Sequence, residues 1–456
     1  MNSKLDIAAY ESLYFIGIGG IGMSALARYF SVNGKKVAGY DKVASKITES
    51  LEKLGIEIHF EDEEKKIPKA FLEKEKSLII YTPAIPKENK EYNYFKENGF
   101  VILKRAEVLG LITKNTTCFA VAGTHGKTTT STILGHILKE AGVNATSFLG
   151  GIAENYKSNL ILGGDKISVV EADEYDRSFL QLSPDIACIT SMDADHLDIY
   201  GKAEELEKSF KEFAEIVTGK IFVRYGLKIK GITYGIEAGA EYQAKNIRIE
   251  KGMSIFDVKT PAEKIENIKI QMPGEHNILN VLAATAMANS FGVSLENIKK
   301  GLLSFKGIER RFNIKIKTEE LVLIDDYAHH PTEIKAVYET VKKMYPNKRK
   351  IVVFQPHLYS RTRDFIEEFA KELGQFDKVI LLEIYPAREL PIHGVTSVWL
   401  AEKIKKENEE VRCVEFNSAS IVKEIQASNV VVAMLGAGDI GKIVDEVCET
   451  LTELVK

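Results

Sequence analysis

A loop that binds nucleotide phosphates is indicated by six consecutive residues, Gly123, Thr124, His125, Gly126, Lys127 and Thr128. The glycine before the lysine lets backbone amides approach phosphate oxygens, the lysine supplies charge for the β- and γ-phosphates, and the threonine supplies a hydroxyl for Mg²⁺. Only the second half of the common pattern matches, because Val121 stands where its first glycine would be. An apolar run precedes the loop, and a helix-like run that starts with Thr129 follows it. We therefore predict a strand, a phosphate loop and a helix.

Carboxylates follow two strand-like runs further along the chain, at residues 171–176 and 193–198. Mg²⁺ prefers oxygen ligands and bridges phosphate oxygens in enzymes that use nucleoside triphosphates. Ligands bind at the carboxyl ends of strands in open α/β sheets, which is where these clusters are predicted to lie. The two clusters therefore favour a site that binds both metal and nucleotide.

A second glycine-rich loop lies near the amino terminus, with Gly17, Gly19 and Gly22 between a strand-like run and a helix-like run and Asp41 further on. This spacing fits the dinucleotide fingerprint and by itself suggests a dehydrogenase. The physical requirement is broader, since glycines and a helix amino terminus accommodate any nucleotide diphosphate, a UDP-sugar included. Both interpretations stay open on this loop alone.

Composition excludes several classes of protein. Sixty-one basic residues stand against 65 acidic ones, giving a net charge of −4, so we expect neither a nucleic-acid partner nor a membrane surface. The amino terminus lacks the pattern of a secretory signal and no run of 18 apolar residues occurs, which predicts a cytoplasmic protein. Four scattered cysteines form no zinc or disulfide pattern, and we predict that all four are packing residues.

These loops need parallel strands with crossover helices to position them. Short β-branched runs alternate with amphipathic stretches along nearly the whole chain, which predicts the α/β class. The length favours about three domains. We place them at residues 1–112, 113–312 and 313–456, with short strands and turns at about 220–270.

The motifs together resemble the Mur ligase family. The blocks are GTHGKTTT, VEADEYD, DADHLDIYG, GEHNILNVLAA, ERRF, DDYAHHPTEI, FQPHLYSRT and LGAGDI, and they extend over most of the chain. The set is most similar to the branch of the family that adds L-alanine. The resemblance implies three domains: a Rossmann-like amino-terminal domain that binds a UDP-sugar, a central P-loop ATPase domain, and a Rossmann-like carboxyl-terminal domain that binds the amino acid.

The resemblance also implies a reaction. ATP phosphorylates the lactyl carboxylate of UDP-N-acetylmuramic acid, and L-alanine attacks the acyl phosphate, which gives an amide, ADP and phosphate. Two Mg²⁺ ions and a monomer or weak homodimer are expected.

Site residues follow from the same resemblance. Thr128 and Glu171 are expected to hold one Mg²⁺ and His196 a second, while Lys127 and Arg311 act on the transferring phosphoryl group. ATP would further contact Asn277, Arg310 or Arg311, and Asp326. The UDP-sugar is expected to contact Gly17, Gly19, Gly20, Gly22, Asp41, His59, Thr82, Ala84 and Glu174.

The carboxylate of the incoming amino acid needs a cation, and an arginine fork suits it. His329, His330, His357, Arg361 and Arg363 are the candidates. The alternative is that Arg361 and Arg363 only pair with nearby carboxylates on an exposed helix.

Three competing functions remain at this stage: a dehydrogenase, which leaves the second loop unexplained; a regulator that binds ATP without turnover; and a recycling ligase of the same family that adds a whole tripeptide.

Overall fold

The computed structural model describes residues 6–193, 200, 202–250, 252–387, 389–425 and 428–454. The chain divides into two compact units. The first comprises Met1–Lys245, Asp257–Ile268 and Leu279–Lys306, and the second comprises Asn246–Phe256, Lys269–Ile278 and Gly307–Lys456. Three sheets are present within the described residues, in agreement with the predicted α/β class.

The first sheet has five parallel strands in the order β3-β2-β1-β4-β5. The strands are β1 (Ser12–Ile16), β2 (Lys36–Tyr40), β3 (Glu57–His59), β4 (Ser77–Tyr81) and β5 (Val101–Lys104). The helices are α1 (Ile21–Val32), α2 (Lys46–Glu52), α3 (Lys90–Glu97) and α4 (Arg105–Thr113). Since β1 lies between β2 and β4, the carboxyl ends of these three strands converge at the first glycine loop.

The second sheet has ten strands in the order β15-β14-β13-β12-β11-β10-β6-β9-β7-β8. The strands are β6 (Thr117–Ala122), β7 (Ala145–Ala153), β8 (Ser158–Ile161), β9 (Ile167–Ala172), β10 (Ile186–Ile189), β11 (Lys220–Arg224), β12 (Ile232–Gly235), β13 (Tyr242–Glu250), β14 (Met253–Lys259) and β15 (Lys264–Ile270). The helices are α5 (Lys127–Glu140), α6 (Ala203–Glu215), α7 (Glu275–Phe291) and α8 (Leu295–Ser304). Strand β6 pairs in parallel with both β9 and β10, so the second glycine loop lies beside the ends of those two strands.

The third sheet has six strands in the order β16-β17-β21-β18-β19-β20, with β16 antiparallel to β17. The strands are β16 (Asn313–Lys317), β17 (Leu321–Asp326), β18 (Arg349–Phe354), β19 (Lys378–Leu381), β20 (Val411–Cys413) and β21 (Val430–Leu435). The helices are α9 (Pro331–Met344), α10 (Tyr359–Asp364), α11 (Ile366–Leu373), α12 (Ser397–Ile404), α13 (Ser418–Glu424) and α14 (Ile440–Leu454). Strand β21 lies between β17 and β18, so their carboxyl ends meet.

Central strands carry continuous apolar runs because helices cover both faces of a parallel sheet. All five residues of β1 and all six of β21 are buried. The apolar run at residues 13–18 predicts a longer first strand than the structure has. The strand ends at Ile16 because Gly17 has a φ of +85°, which turns the chain into the loop.

The region at about 220–270 consists of short strands and turns, as predicted, and its strands β11–β15 extend the second sheet. Cys118 and Cys188 are buried as expected, but Cys413 is exposed and is not a packing residue. None of the helices in the described part of the chain combines the length and apolar character needed to cross a bilayer.

Candidate active site

Lys127 begins α5 directly after the second glycine loop. Its ammonium group donates to the carbonyl of Gly123 at 2.7 Å and lies 2.7 and 2.9 Å from the two carboxylate oxygens of Glu174. Burial acts to lower the pKa of Lys127, but the negative charges of Glu174, Asp173 and Glu171 outweigh it, so the pKa lies above the ordinary value. The loop therefore holds a permanent positive charge where phosphate oxygens would bind.

Thr128, the second residue of α5, contacts Glu171 near the end of β9. The Thr128 hydroxyl donates to both carboxylate oxygens of Glu171, at 3.0 and 3.1 Å. A Cβ at Gly150 would lie 2.0 Å from Glu171 Oε2, so the glycine provides the space that this carboxylate occupies. A hydroxyl and a carboxylate suit Mg²⁺, which usually keeps several waters and takes the remaining ligands from phosphates. The two residues therefore fit the predicted metal role.

The glycine loop is fixed by the residues that follow β10. Ser191 Oγ accepts from the backbone N–H of His125 at 2.8 Å, and the backbone N–H of Asp193 donates to Thr124 Oγ1 at 3.1 Å. Gly126 has a φ of +84°, and a Cβ there would lie 2.4 Å from Asn280 Oδ1. The predicted metal ligand His196 lies outside the described residues. Within the described part of the chain, no group of three His, Cys, Asp or Glu side chains could hold a metal by itself.

The first glycine loop contacts Asp41 and Thr82. The backbone N–H of Gly19 donates to Asp41 Oδ2 at 2.7 Å. Positive φ favours glycine at position 17, where a Cβ would also lie 2.6 Å from Thr82 Cγ2. Ala84 is exposed beyond Thr82, where its N–H reaches Thr82 Oγ1 at 3.4 Å. The structure thus brings most of the predicted UDP-sugar residues to one edge of the first sheet.

His59, the last residue of β3, contacts two buried side chains, Tyr14 and Glu91. Its Nε2 lies 2.8 Å from the Tyr14 hydroxyl and 3.2 Å from Glu91 Oε1, and its Nδ1 lies 3.0 Å from the Glu61 carbonyl. Burial lowers the pKa of His59 and raises the pKa of Glu91 to about 8. Since a carbonyl only accepts, Nδ1 carries the hydrogen and Nε2 accepts from Tyr14 or from protonated Glu91.

Glu174 and Arg105 have surroundings that the sequence did not predict. Glu174, which follows β9, pairs with Lys127 at 2.7 Å, and its contact with a UDP-sugar stays a prediction. Arg105, which sequence reasoning missed, lies across the first loop: a Cβ at Gly22 would lie 2.9 Å from Arg105 Nη1. The signal that could have found it is a basic residue directly after a strand of a nucleotide-binding sheet.

In the second unit, Arg310 and Arg311 have different surroundings. The Arg310 guanidinium lies 3.3 Å from Asp325 Oδ1 and donates to the carbonyl of Gly436 at 2.6 Å and that of Gly438 at 3.4 Å. Arg311 lies 5.1 Å from the centroid of the Tyr327 ring. Among the described residues no hydrogen bond or ion pair of Arg311 is found. Arg310 therefore holds the chain after β21, while Arg311 keeps its donors available.

Asp326 ends β17 and is buried. Its Oδ2 accepts from the N–H of Phe312 at 2.6 Å and its Oδ1 from the N–H of Ala328 at 2.8 Å. Burial raises the pKa of Asp326 to about 6, against the opposing effect of Arg311. Asn277, at the start of α7, is buried and donates to the Pro273 carbonyl at 2.8 Å. Burial lowers the pKa of its neighbour His276 to about 4.

The two histidines that follow β17, His329 and His330, have different surroundings. His329 Nδ1 lies 3.3 Å from Glu333 Oε2 and 3.0 Å from the Tyr327 carbonyl. His330 is buried and forms the amino-terminal cap of α9, where its Nδ1 accepts from the N–H of Thr332 at 3.4 Å. The structure therefore gives His330 a capping contact, and its predicted contact with an amino acid stays a prediction.

Around His357 the structure gathers several of the predicted amino-acid ligands. Its ring lies 5.8 Å from that of His329, and its Nδ1 lies 3.2 Å from Arg361 Nη1. Arg361 is buried, whereas Arg363 is exposed and pairs with Asp364 at 2.7 Å. Leu358 has a φ of +74°, a strained conformation for a leucine and one that recurs at functional sites. His329, His357 and Arg361 therefore form one cluster. Arg363 is not part of it, because its guanidinium pairs with Asp364.

Three family models match successive parts of the chain. They are the Mur ligase family catalytic domain at residues 12–117, the Mur ligase middle domain at residues 121–288 and the Mur ligase glutamate ligase domain at residues 310–440. The chain belongs to the Mur ligase family. This membership confirms the resemblance, and it places the first glycine loop within a Mur ligase domain rather than a dehydrogenase.

Individual members of the Mur ligase family match this chain over nearly its whole length. The chain is 55% identical to the UDP-N-acetylmuramate–L-alanine ligases of Christiangramia forsetii, over 98% of this chain and 99% of that protein, and of Flavobacterium psychrophilum, over 98% and 100%. The crystal structure of the UDP-N-acetylmuramate–alanine ligase MurC from Thermotoga maritima is similar with a TM-score of 0.83 and 29% identity, covering 97% of this chain and 99% of that one. A murein peptide ligase structure from Psychrobacter arcticus shares the fold, with a TM-score of 0.69 and 23% identity over 97% of this chain and 98% of that one.

Proposed function

We propose that this protein joins L-alanine to UDP-N-acetylmuramic acid at the expense of ATP. The observation that carries the proposal is the partly buried Lys127 ammonium, which lies at a glycine loop beside Glu174 and the Thr128–Glu171 pair. This arrangement suits phosphoryl transfer from a nucleotide. The choice of substrates is supported by 55% identity to ligases named for UDP-N-acetylmuramate and L-alanine.

The reaction has two steps in this proposal. A carboxylate oxygen of the lactyl group attacks the γ-phosphorus of ATP, and the bond to the β-phosphate oxygen breaks to release ADP. The amine of L-alanine then attacks the acyl carbon, loses a proton and expels phosphate as the amide forms. Negative charge grows on the phosphoryl oxygens in the first step, and the Lys127 ammonium stabilises it. Bound Mg²⁺ would neutralise phosphate charge, with Thr128 and Glu171 as its protein ligands and His196 proposed for a second ion.

Arg311, Asp326 and Asn277 keep their proposed roles in nucleotide binding. Arg311 suits a phosphate contact better than Arg310, because Arg310 already donates to the carbonyls of Gly436 and Gly438. Asp326 is proposed to bind the ribose and Asn277 the adenine. Each Asp326 oxygen accepts one backbone hydrogen bond and retains a lone pair for a hydroxyl.

The amino acid is proposed to bind at His329, His357 and Arg361. The methyl group of alanine offers little apolar surface, so the carboxylate is the main group to recognise. Arg361 is the buried arginine of this cluster. His330 and Arg363 remain proposed as further residues at the edge of this amino-acid site.

The division of the chain into three domains, at residues 1–112, 113–312 and 313–456, also remains a proposal.

Phosphate release tests the proposed function. The purified protein is incubated with Mg²⁺, ATP, UDP-N-acetylmuramate and one of L-alanine, glycine, L-serine or a stem tripeptide, and each component is omitted in turn. We expect release with L-alanine that requires all three substrates, together with a product whose mass equals that of the amide. Release only with the tripeptide would instead identify a recycling ligase, and release without an amino acid would contradict ligation.

A further inference from the structure

Arg105 is the first residue of α4 and lies across the first glycine loop. A Cβ at Gly22 would lie 2.9 Å from Arg105 Nη1 and 3.0 Å from its Cδ, so the side chain packs directly against Gly22, where the loop enters α1. About a quarter of the side chain is exposed, at 24%. The guanidinium is therefore both close to the loop and open to a ligand.

The loop needs such a cation if it is to bind a nucleotide diphosphate. The N–H of Gly19, which would otherwise be a donor for phosphate, is already bonded to Asp41 Oδ2 at 2.7 Å. The charge of that carboxylate repels phosphate oxygens, which also carry negative charge. A helix amino terminus supplies only a partial positive charge to offset this repulsion.

The donors of Arg105 remain available in the structure. Its Nη2 lies 3.6 Å from Asp173 Oδ2, an ion pair too long for a hydrogen bond. Among the described residues the guanidinium makes no hydrogen bond. Asp173 follows β9 of the second sheet, two residues after Glu171, so Arg105 lies between the first glycine loop and the carboxylates near Lys127.

We propose that Arg105 binds the phosphate oxygens of the UDP-sugar at the first glycine loop. This inference rests on the proposed function for the identity of the nucleotide. The planar fork of arginine can donate two hydrogen bonds to one phosphate group. Asp173 holds the guanidinium at the loop until the nucleotide binds.

Lys104 provides a matched control at the neighbouring position. It is also basic, and it also pairs with a carboxylate of the same segment, Asp176, at 3.3 Å. Its side chain is more exposed, at 43%, and the atoms nearest to the loop glycines belong to other residues. If Arg105 acts only by joining two elements through an ion pair, loss of either basic residue should have a similar effect.

Calorimetric titration of Arg105→Gln, Arg105→Lys and Lys104→Gln with UDP-N-acetylmuramate and with UDP tests the proposal. We expect Arg105→Gln to weaken both ligands about 10- to 100-fold, the range for a charge-assisted hydrogen bond. Arg105→Lys should be intermediate, and Lys104→Gln should change affinity less than about threefold. Uridine, which lacks phosphates, should bind Arg105→Gln and wild type alike in an NMR titration. The Michaelis constant for ATP should not change.

Three results would overturn the proposal: unchanged affinity of Arg105→Gln for UDP, an equal loss in Lys104→Gln, or an equal loss for uridine. Thermal unfolding of each variant shows whether it is folded, and Arg105→Lys provides a second test if Arg105→Gln is not. If the wild-type protein itself fails to bind UDP-N-acetylmuramate but binds UDP, the proposed function fails while the role of Arg105 can still be measured with UDP.

Discussion

At the scale of single residues, Lys127 is the side chain whose charge matters most to the proposed reaction. It is held by the Gly123 carbonyl and by Glu174, and the surrounding carboxylates keep its pKa above the ordinary value. Lys127→Ala should lower kcat by about 10²- to 10³-fold or more, because the contact strengthens as charge develops in the transition state. Binding of UDP-N-acetylmuramate, measured by calorimetry, should change little.

Lys139 on the same helix is the control for this prediction. It is exposed, and its ammonium group donates to the Leu162 carbonyl at 2.8 Å. Lys139→Ala should therefore retain the wild-type rate. Activity of Lys127→Ala within tenfold of wild type would show that this loop is not the ATP site.

Arg361 and Arg363 can be distinguished by their environments. Arg361 is buried beside His357, whereas Arg363 is exposed and paired with Asp364. Arg361→Lys keeps the charge but loses the planar fork, so it should raise the Michaelis constant for alanine about tenfold and leave those for ATP and UDP-N-acetylmuramate nearly unchanged. Arg363→Lys should have a smaller effect. If all three constants rise together in Arg361→Lys, the amino acid binds elsewhere.

Residue types in a motif predict chemistry well but contacts poorly. Lys127 and Thr128 are found at a loop beside carboxylates, as the motif predicted, because a glycine loop between a strand and a helix has few possible conformations. Which of two adjacent arginines is available depends on contacts such as those from Arg310 to Gly436 and Gly438, more than 120 positions away in the chain. No local pattern encodes such contacts.

At the scale of elements, the turn from β1 into α1 offers a clean test of the first loop. A Cβ at Gly20 would have no atom closer than 3.5 Å, whereas at Gly19 it would lie 2.9 Å from Asp41 Oδ2. Gly20→Val should therefore fold normally yet obstruct the approach of a diphosphate to the backbone. We expect the Kd for UDP-N-acetylmuramate to rise at least about tenfold, which corresponds to about 1.4 kcal/mol.

Two measurements serve as controls for Gly20→Val: its thermal unfolding and its Michaelis constant for ATP. Both should equal those of wild type. Unchanged affinity for the UDP-sugar, with normal folding, would place the nucleotide away from this turn.

Helix α3 brings a carboxyl group into the core of the first sheet. Glu91 is fully buried beside Tyr14 and His59, and burial raises its pKa to about 8. The folded state therefore holds this proton more tightly than the unfolded state, and the contribution of Glu91 to stability is lost as pH rises from about 4.5 to about 8. Glu91→Gln mimics the protonated form and should gain in Tm relative to wild type over that interval.

Glu97 on the same helix is exposed and serves as the control. The difference in Tm between Glu97→Gln and wild type should be independent of pH. A difference between Glu91→Gln and wild type that is equally flat between pH 5 and pH 8 would contradict a protonated Glu91.

Most elements follow from local sequence, and the exceptions have physical causes. Strands Ser77–Tyr81 and Ile186–Ile189 are predicted by their apolar runs, because a strand covered on both faces needs apolar residues throughout. The strands between residues 220 and 270 are harder to recognise. Strand β13 is exposed at six of its nine positions, so its sequence lacks the apolar pattern of a central strand.

At the scale of the whole molecule, three sheets each present a loop of potential ligands at the carboxyl ends of their strands. The first presents glycines and Arg105, the second Lys127 with its carboxylates, and the third Arg361 with two histidines. These three chemistries suit a sugar nucleotide, a nucleoside triphosphate and an amino-acid carboxylate. The proposed reaction consumes all three together.

Transfer of oxygen tests that requirement most directly. UDP-N-acetylmuramate labelled with ¹⁸O in the lactyl carboxylate is turned over with ATP and L-alanine, and the released phosphate is analysed by mass spectrometry. Attack of the carboxylate on the γ-phosphorus followed by expulsion of phosphate predicts one labelled oxygen in each phosphate from fully labelled substrate. Phosphate that carries no label, while the amide forms, would contradict the acyl-phosphate route.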